Sequence, residues 1–187
     1  MESFQSMARK AAMNTPTPTS PRPTTDGALA RYPFAAARIL LGWLFLWAFL
    51  DKTFGLGHAT ERKNAWIDGG SPTQGFLKFG TKGPLSDFYH SIAGAAFTDW
   101  LFMITILALG VSLMAGIGLR VAAVAGGILV VMMWSVVLPP TNNILVDDHL
   151  IYLALLLGLA LSDAGRTWGL GGWWSGTALV RRAPWLR

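Results

Sequence analysis

Two clusters of ionisable side chains stand at the edges of otherwise apolar runs: Asp51 and Lys52 close one run, and Asp147, Asp148 and His149 open another. Carboxylates, an imidazole and an ammonium group gathered in one place can exchange protons near neutral pH and stabilise developing negative charge. Tyr152, one turn beyond Asp148, adds a phenolic donor, and Trp47 and Trp134 are placed to wall a pocket beside these groups. The clusters lie far apart in sequence, so this chemistry exists only if the fold brings them to one layer.

Four apolar runs are the elements that must do so, at about residues 34–56, 99–119, 121–138 and 148–162. At 1.5 Å per residue the first covers roughly 34 Å, enough to cross a ~30 Å hydrocarbon core. The second and third are split only by Gly118, Leu119 and Arg120, which makes them antiparallel neighbours. The fourth is short and is expected to recruit Ile144 to Val146 to complete a span. Composition agrees: 187 residues, 52% hydrophobic against 13% charged, with a mean hydropathy of +0.43. A water-facing protein carries about a quarter of its residues charged. The predicted fold is therefore all-α, an integral membrane four-helix bundle.

Ten of the 15 Lys and Arg lie at the two ends or at Arg120, and five (Lys52, Arg62, Lys63, Lys78, Lys82) lie in or beside the loop that follows the first run. The positive-inside rule puts both termini in the cytoplasm and the long loop, about residues 57–98, outside. Basic ends on an apolar middle fit membrane orientation, with no nucleic acid as partner. Residues 1–30, rich in Pro, Thr and Ser, read as a disordered cytoplasmic tail without a cleavable signal sequence. Residues 31–174 form the membrane domain, and residues 175–187 a basic cytoplasmic tail. In the outer loop Ser71 and Pro72 mark a helix start, with short interfacial helices around them. The four glycines Gly110, Gly116, Gly126 and Gly127 permit close helix approach.

With this orientation Asp51, Lys52, Asp99, Asp147, Asp148 and His149 share the outer-leaflet layer. Ionisable groups at membrane depth are costly and tend to face a bundle interior or a wet cavity. Lys52 is a natural counter-ion for a carboxylate of the fourth helix, and Asp51 is placed to accept a hydrogen bond from His149. Simpler readings stand beside these. Asp147, Asp148 and Asp99 can cap helices, Lys52 and Arg38 can snorkel, His149 can sit at the interface, and the tryptophans can anchor or pack. Capping explains Asp51 poorly, because a carboxylate at a helix C-terminus faces the negative end of the dipole. His58 and His90 have no ligand-like spacing to a second histidine, which argues against a metal site.

Three segments carry a family resemblance: residues 38–57 (RILLGWLFLWAFLDKTFGLG), 142–152 (NNILVDDHLIY) and 165–171 (GRTWGLG). Together they resemble the DoxX/DoxD group of small four-helix membrane proteins, over about residues 31–174. The family usually has Asn-Pro ahead of the acidic residues, whereas Ile144 follows Asn143 here. Members of the DoxD branch are similar to the membrane subunit of thiosulfate:quinone oxidoreductase. The resemblance implies a multi-pass protein of the cell membrane that serves a quinone-linked redox system, with a membrane quinone as substrate and a second redox subunit or an extracellular redox enzyme as partner.

Quinone reduction takes two electrons and two protons. It needs an apolar slot, aromatic walls and donors at the carbonyl oxygens. Asp148 and His149 are the candidate proton donors, Lys52 the stabiliser of negative charge, Asp51 the orienting acid and Tyr152 a hydrogen-bond donor, with Trp47, Trp134 and Asp147 around the substrate. Lys52 is equally suited to attract anionic thiosulfate. The chain has no Cys and no dinucleotide-binding loop, so no covalently bound cofactor is expected and the electrons must arrive from elsewhere. The alternative is a non-enzymatic scaffold for extracellular redox enzymes or a small transporter. A redox subunit requires Asp51, Lys52 and His149 to converge on an apolar pocket, whereas a scaffold does not.

Overall fold

Eight α-helices form between Thr25 and Arg182: α1 (Thr25–Phe54), α2 (Gln74–Phe79), α3 (Ser86–Ile92), α4 (Ala96–Ala115), α5 (Leu119–Val136), α6 (Asp148–Leu161), α7 (Gly171–Ser175) and α8 (Ala178–Arg182). The computed structural model describes residues 25–141 and 143–187, and these contain no strand. The tail reading for residues 1–24 lies outside the described residues, while residues 25–30 begin α1. Residues 1–30 and 31–187 form separate units, and the core belongs to the second.

Among the described residues three helices are long and apolar enough to cross a membrane: α1 over the 26 residues Leu29–Phe54, α4 over 20 and α5 over 18. Leu40, Trp43, Ile104, Val111, Val124 and Ile128 stand exposed on their outer faces. Apolar surface of that extent suits hydrocarbon rather than water. Helix α6 has 14 residues, roughly 21 Å, and falls short of a full ~30 Å core. The expected recruitment of residues 144–146 does not occur: they are exposed and non-helical. Asp147 stops the helix there. Its backbone is extended and its carboxylate accepts hydrogen bonds from the N–H groups of His149 and Leu150, so α6 begins at Asp148.

Inward-facing residues alternate at helical spacing. Leu41 and Phe45 from α1, Met103 and Ile106 from α4, Val130 from α5 and Leu156 from α6 share one core. Close approach depends on missing side chains. A Cβ at Gly110 of α4 would lie 2.8 Å from the backbone nitrogen of Leu46 in α1, nearer than any side chain tolerates. The α4–α5 turn runs through Gly116, Ile117 and Gly118, slightly earlier than the apolar pattern indicates, because Gly116 takes a left-handed conformation (φ 73°) that ends α4.

At the other end of α1 from Lys52, Arg38 is fully buried. Its guanidinium donates to the carbonyls of Leu113 and Met114 (3.0 Å) at the end of α4, and to Ala164 (3.2 Å), Thr167 (3.2 Å) and Trp168 (2.9 Å) after α6. The snorkelling reading of Arg38 is therefore corrected. Snorkelling needs a path to water, whereas here the last carbonyls of a helix, which lack intrahelical donors and carry the negative end of its dipole, receive the charge instead.

Two outcomes follow for purified protein in detergent. Arg38→Met strands those carbonyls and is expected to cost on the order of 3 kcal/mol, read as a lowered midpoint of thermal unfolding. Gly110→Ala is expected to destabilise by about 1–3 kcal/mol. Gly158→Ala, where nothing lies within 4 Å of the added methyl, leaves the midpoint unchanged or raises it.

Candidate functional site

Three aspartates at the Lys52 end of the helices are engaged by protein donors. Asp51 is 1% exposed, and its carboxylate accepts from the backbone N–H groups of His58 (3.3 Å) and Ala59 (3.0 Å). Those two donors offset the unfavourable helix dipole and fasten the loop after α1. Asp99, in the first turn of α4, accepts from Ser71 Oγ (2.9 Å), Thr73 Oγ1 (2.5 Å) and the Thr73 N–H (3.2 Å). It is a buried anchor for the outer loop. Ser71 Oγ in turn accepts from Gln74 N–H, so the serine caps as anticipated, although the α-helical residues start at Gln74.

Asp147 is the cap of α6, and its second oxygen lies 2.6 Å from His149 Nδ1. This distance fits Nδ1–H donating to the carboxylate, which orients the ring. Asp148 is exposed, 4.0 Å from the same nitrogen. The ligand atoms of Asp147, Asp148 and His149 all fall within 4.8 Å of one another. Asp147 and His149 are already bonded to each other and to the helix start, so the cluster has the geometry of a cap with its histidine.

The expected bond from His149 to Asp51 is thus replaced by bonds to nearer groups on each side: backbone N–H for Asp51 and Asp147 for His149. Lys52 likewise makes no ion pair with a carboxylate of α6. Among the described residues it has no carboxylate within 4 Å and no hydrogen-bond partner. Its ammonium stands 5.9 Å from the ring centre of Phe102, within cation–π reach.

Lys52 faces a cavity of about 380 Å³ between α4 and α5, roofed by α2 and α3. The walls are Phe76, Leu77, Ile92, Leu101, Phe102, Ile128, Leu129, Met132, Met133 and Val136, with Pro72 and Ala125. The hydroxyls are largely committed. Tyr89 pairs with Ser135 at 2.5 Å, Thr105 donates to Leu101 and Thr73 to Asp99, which leaves Thr98 and Lys52 as polar groups without a side-chain partner among the described residues. A cavity of this size with apolar walls and a few polar groups has the character of a small-molecule site.

Of the residues expected to form a site, Lys52 alone lines this cavity. Asp51 lies behind it in the loop anchor. Trp47 packs edge-on against His58 at 5.2 Å, and Trp134 donates Nε1–H to the Leu145 carbonyl at 2.8 Å. Tyr152 stacks edge-on with Phe45 and with His149, each at 6.4 Å. The lining residues Thr98, Phe102 and Tyr89 were missed by sequence reasoning. Their signal, an aromatic outer loop next to the start of α4, was visible only as an interfacial cap.

Asp99→Ala removes the anchor of the roof. It is expected to cost about 1–3 kcal/mol and to speed amide exchange at Thr73 and Gln74, measured by mass spectrometry, while exchange near Arg38 stays unchanged. Comparison with known proteins leaves the reading to these residues alone: no family model, no curated protein and no solved structure matches the chain.

Proposed function

We propose that the chain is a DoxX-like four-helix protein of the cell membrane, with both termini cytoplasmic, that binds a membrane quinone in the Lys52 cavity as the membrane subunit of a quinone-linked redox system. The observation that carries this reading is a cation that, among the described residues, has no ion-pair or hydrogen-bond partner and faces an apolar cavity. A buried ammonium in hydrocarbon surroundings is expensive unless an acceptor meets it. A quinone carbonyl meets it well: the ring matches the walls of Phe102 and Phe76, and the oxygen gains a charge-assisted hydrogen bond that strengthens as electrons arrive. The electrons come from a partner subunit or an extracellular redox enzyme, with thiosulfate as one donor, and the protons from water or from His149 and Asp148 beyond the cavity.

A second reading is favoured by the lining itself, which among the described residues holds no carboxylate and no imidazole. Without a titratable acid at the ligand, the protein would hold quinone or lipid for extracellular enzymes as a scaffold and carry out no chemistry. A transporter is less supported still, since α4 and α5 carry few polar residues through the membrane depth.

Binding in lipid nanodiscs separates these readings. Lys52→Met is expected to weaken quinone affinity about tenfold, the loss of one charge-assisted bond, while His149→Ala leaves it unchanged. The reverse pattern would move the site to α6. Binding without quinone-linked turnover in the presence of candidate partners would favour the scaffold.

A further inference from the structure

We infer that the ligand is a long-chain lipid whose polar head meets Lys52 and whose hydrocarbon tail lies in a groove between α4 and α5, so that it reaches the site sideways from the bilayer. This rests on the Lys52 cavity being the ligand site and adds what the ligand must carry behind its head. The groove is a second hollow of about 510 Å³, and Thr105 and Ala125 line it and the cavity alike, so the two adjoin at these residues. Its floor is made by small residues, Ala108, Ala122, Ala125 and Gly118, where larger ones would fill it. Trp174 and Leu186 close its far end.

Length supports a tail. On α5 the lining runs from Val136 at the Lys52 end to Gly118 at the other. At 1.5 Å per residue this is roughly 27 Å, close to the ~30 Å thickness of a hydrocarbon core. Polarity supports it as well. The hydroxyls on the groove wall are turned back into their own segment, Thr105 to the Leu101 carbonyl and Ser112 to that of Ile117, so a chain of methylenes would leave no hydrogen bond unmade. A small inorganic anion would leave the groove unused. It would also find one ammonium and apolar walls where its remaining oxygens need donors.

The test measures binding of two benzoquinones with the same ring, one with a long polyisoprenoid tail and one with a single isoprene unit, to the full chain in nanodiscs. Ala108→Trp plugs the groove from α4, and Val121→Trp does so from α5. Both positions are exposed on the bilayer-facing surface, so folding, checked by circular dichroism, is retained. We expect each variant to weaken the long-tailed quinone about tenfold and the short-tailed one by less than about twofold. Equal effects on both quinones, or no effect on either, would overturn the tail assignment and leave annular lipid as the groove's occupant. Binding of neither quinone by the wild type would instead defeat the Lys52 reading, and this inference with it. Sensitivity to Lys52→Met together with indifference to both tryptophans would keep the head site and reject the tail.

Discussion

A guanidinium with no accessible surface, and among the described residues no carboxylate paired with it, holds one end of this protein together. Arg38 reaches from α1 to the last carbonyls of α4 and to the segment after α6, so three parts of the chain distant in sequence share one charge. The carbonyls at the end of a helix have no intrahelical donors and carry partial negative charge, which is what lets an arginine be buried without an acid. The planar fork of five N–H groups suits this role, since an ammonium has only three donors for the five carbonyls. Glycines complete the arrangement. Gly116 lies against Gly165, and a Cβ on either would strike the other's backbone.

The opposite end of α1 presents the contrasting case. Lys52 is only partly buried, and among the described residues no ion pair or hydrogen bond receives its charge; the space before it is an apolar cavity. The three aspartates of the same layer are used otherwise: Asp51 fastens the loop after α1, Asp99 fastens the roof, and Asp147 caps α6. Their carboxylates are satisfied mainly by backbone N–H groups and hydroxyls. Asp51 and Asp99 therefore hold the segments around the cavity, and Lys52 is the charged group left facing it.

That division bears on chemistry. A ligand in the cavity would meet a fixed cation and aromatic walls, an environment that stabilises negative charge. Proton delivery from His149 or Asp148 would have to cross from α6. The roof of α2 and α3, pinned through Asp99 and through Tyr89 to Ser135, closes the cavity at the Lys52 end. Exposed Phe79, Phe88 and Phe97 on and near that roof suit an interfacial position.

The sequence by itself determined three long apolar helices suited to a membrane, because apolar runs of 18 residues or more are a local property of composition; it put the α4–α5 break at residues 118–120, and the earlier turn at Gly116 came only with the structure. It also offered Asp147 as one of three capping candidates, since an Asp before a helical run has donors within reach along its own chain, as Asp147 has in His149 and Leu150, whereas Asp148 and Asp99 lie inside first turns. The partners of the remaining ionisable groups were not legible. Arg38 looked like a snorkelling side chain because its five acceptors come from elements more than 70 residues away. His149 and Asp51 looked like partners because depth alone was inferred, and depth does not specify azimuth around a helix. Only the packed structure decided that Lys52 faces an apolar cavity whose described lining holds no carboxylate, because that depends on which faces of α4, α5 and the loop after α1 meet around one side chain.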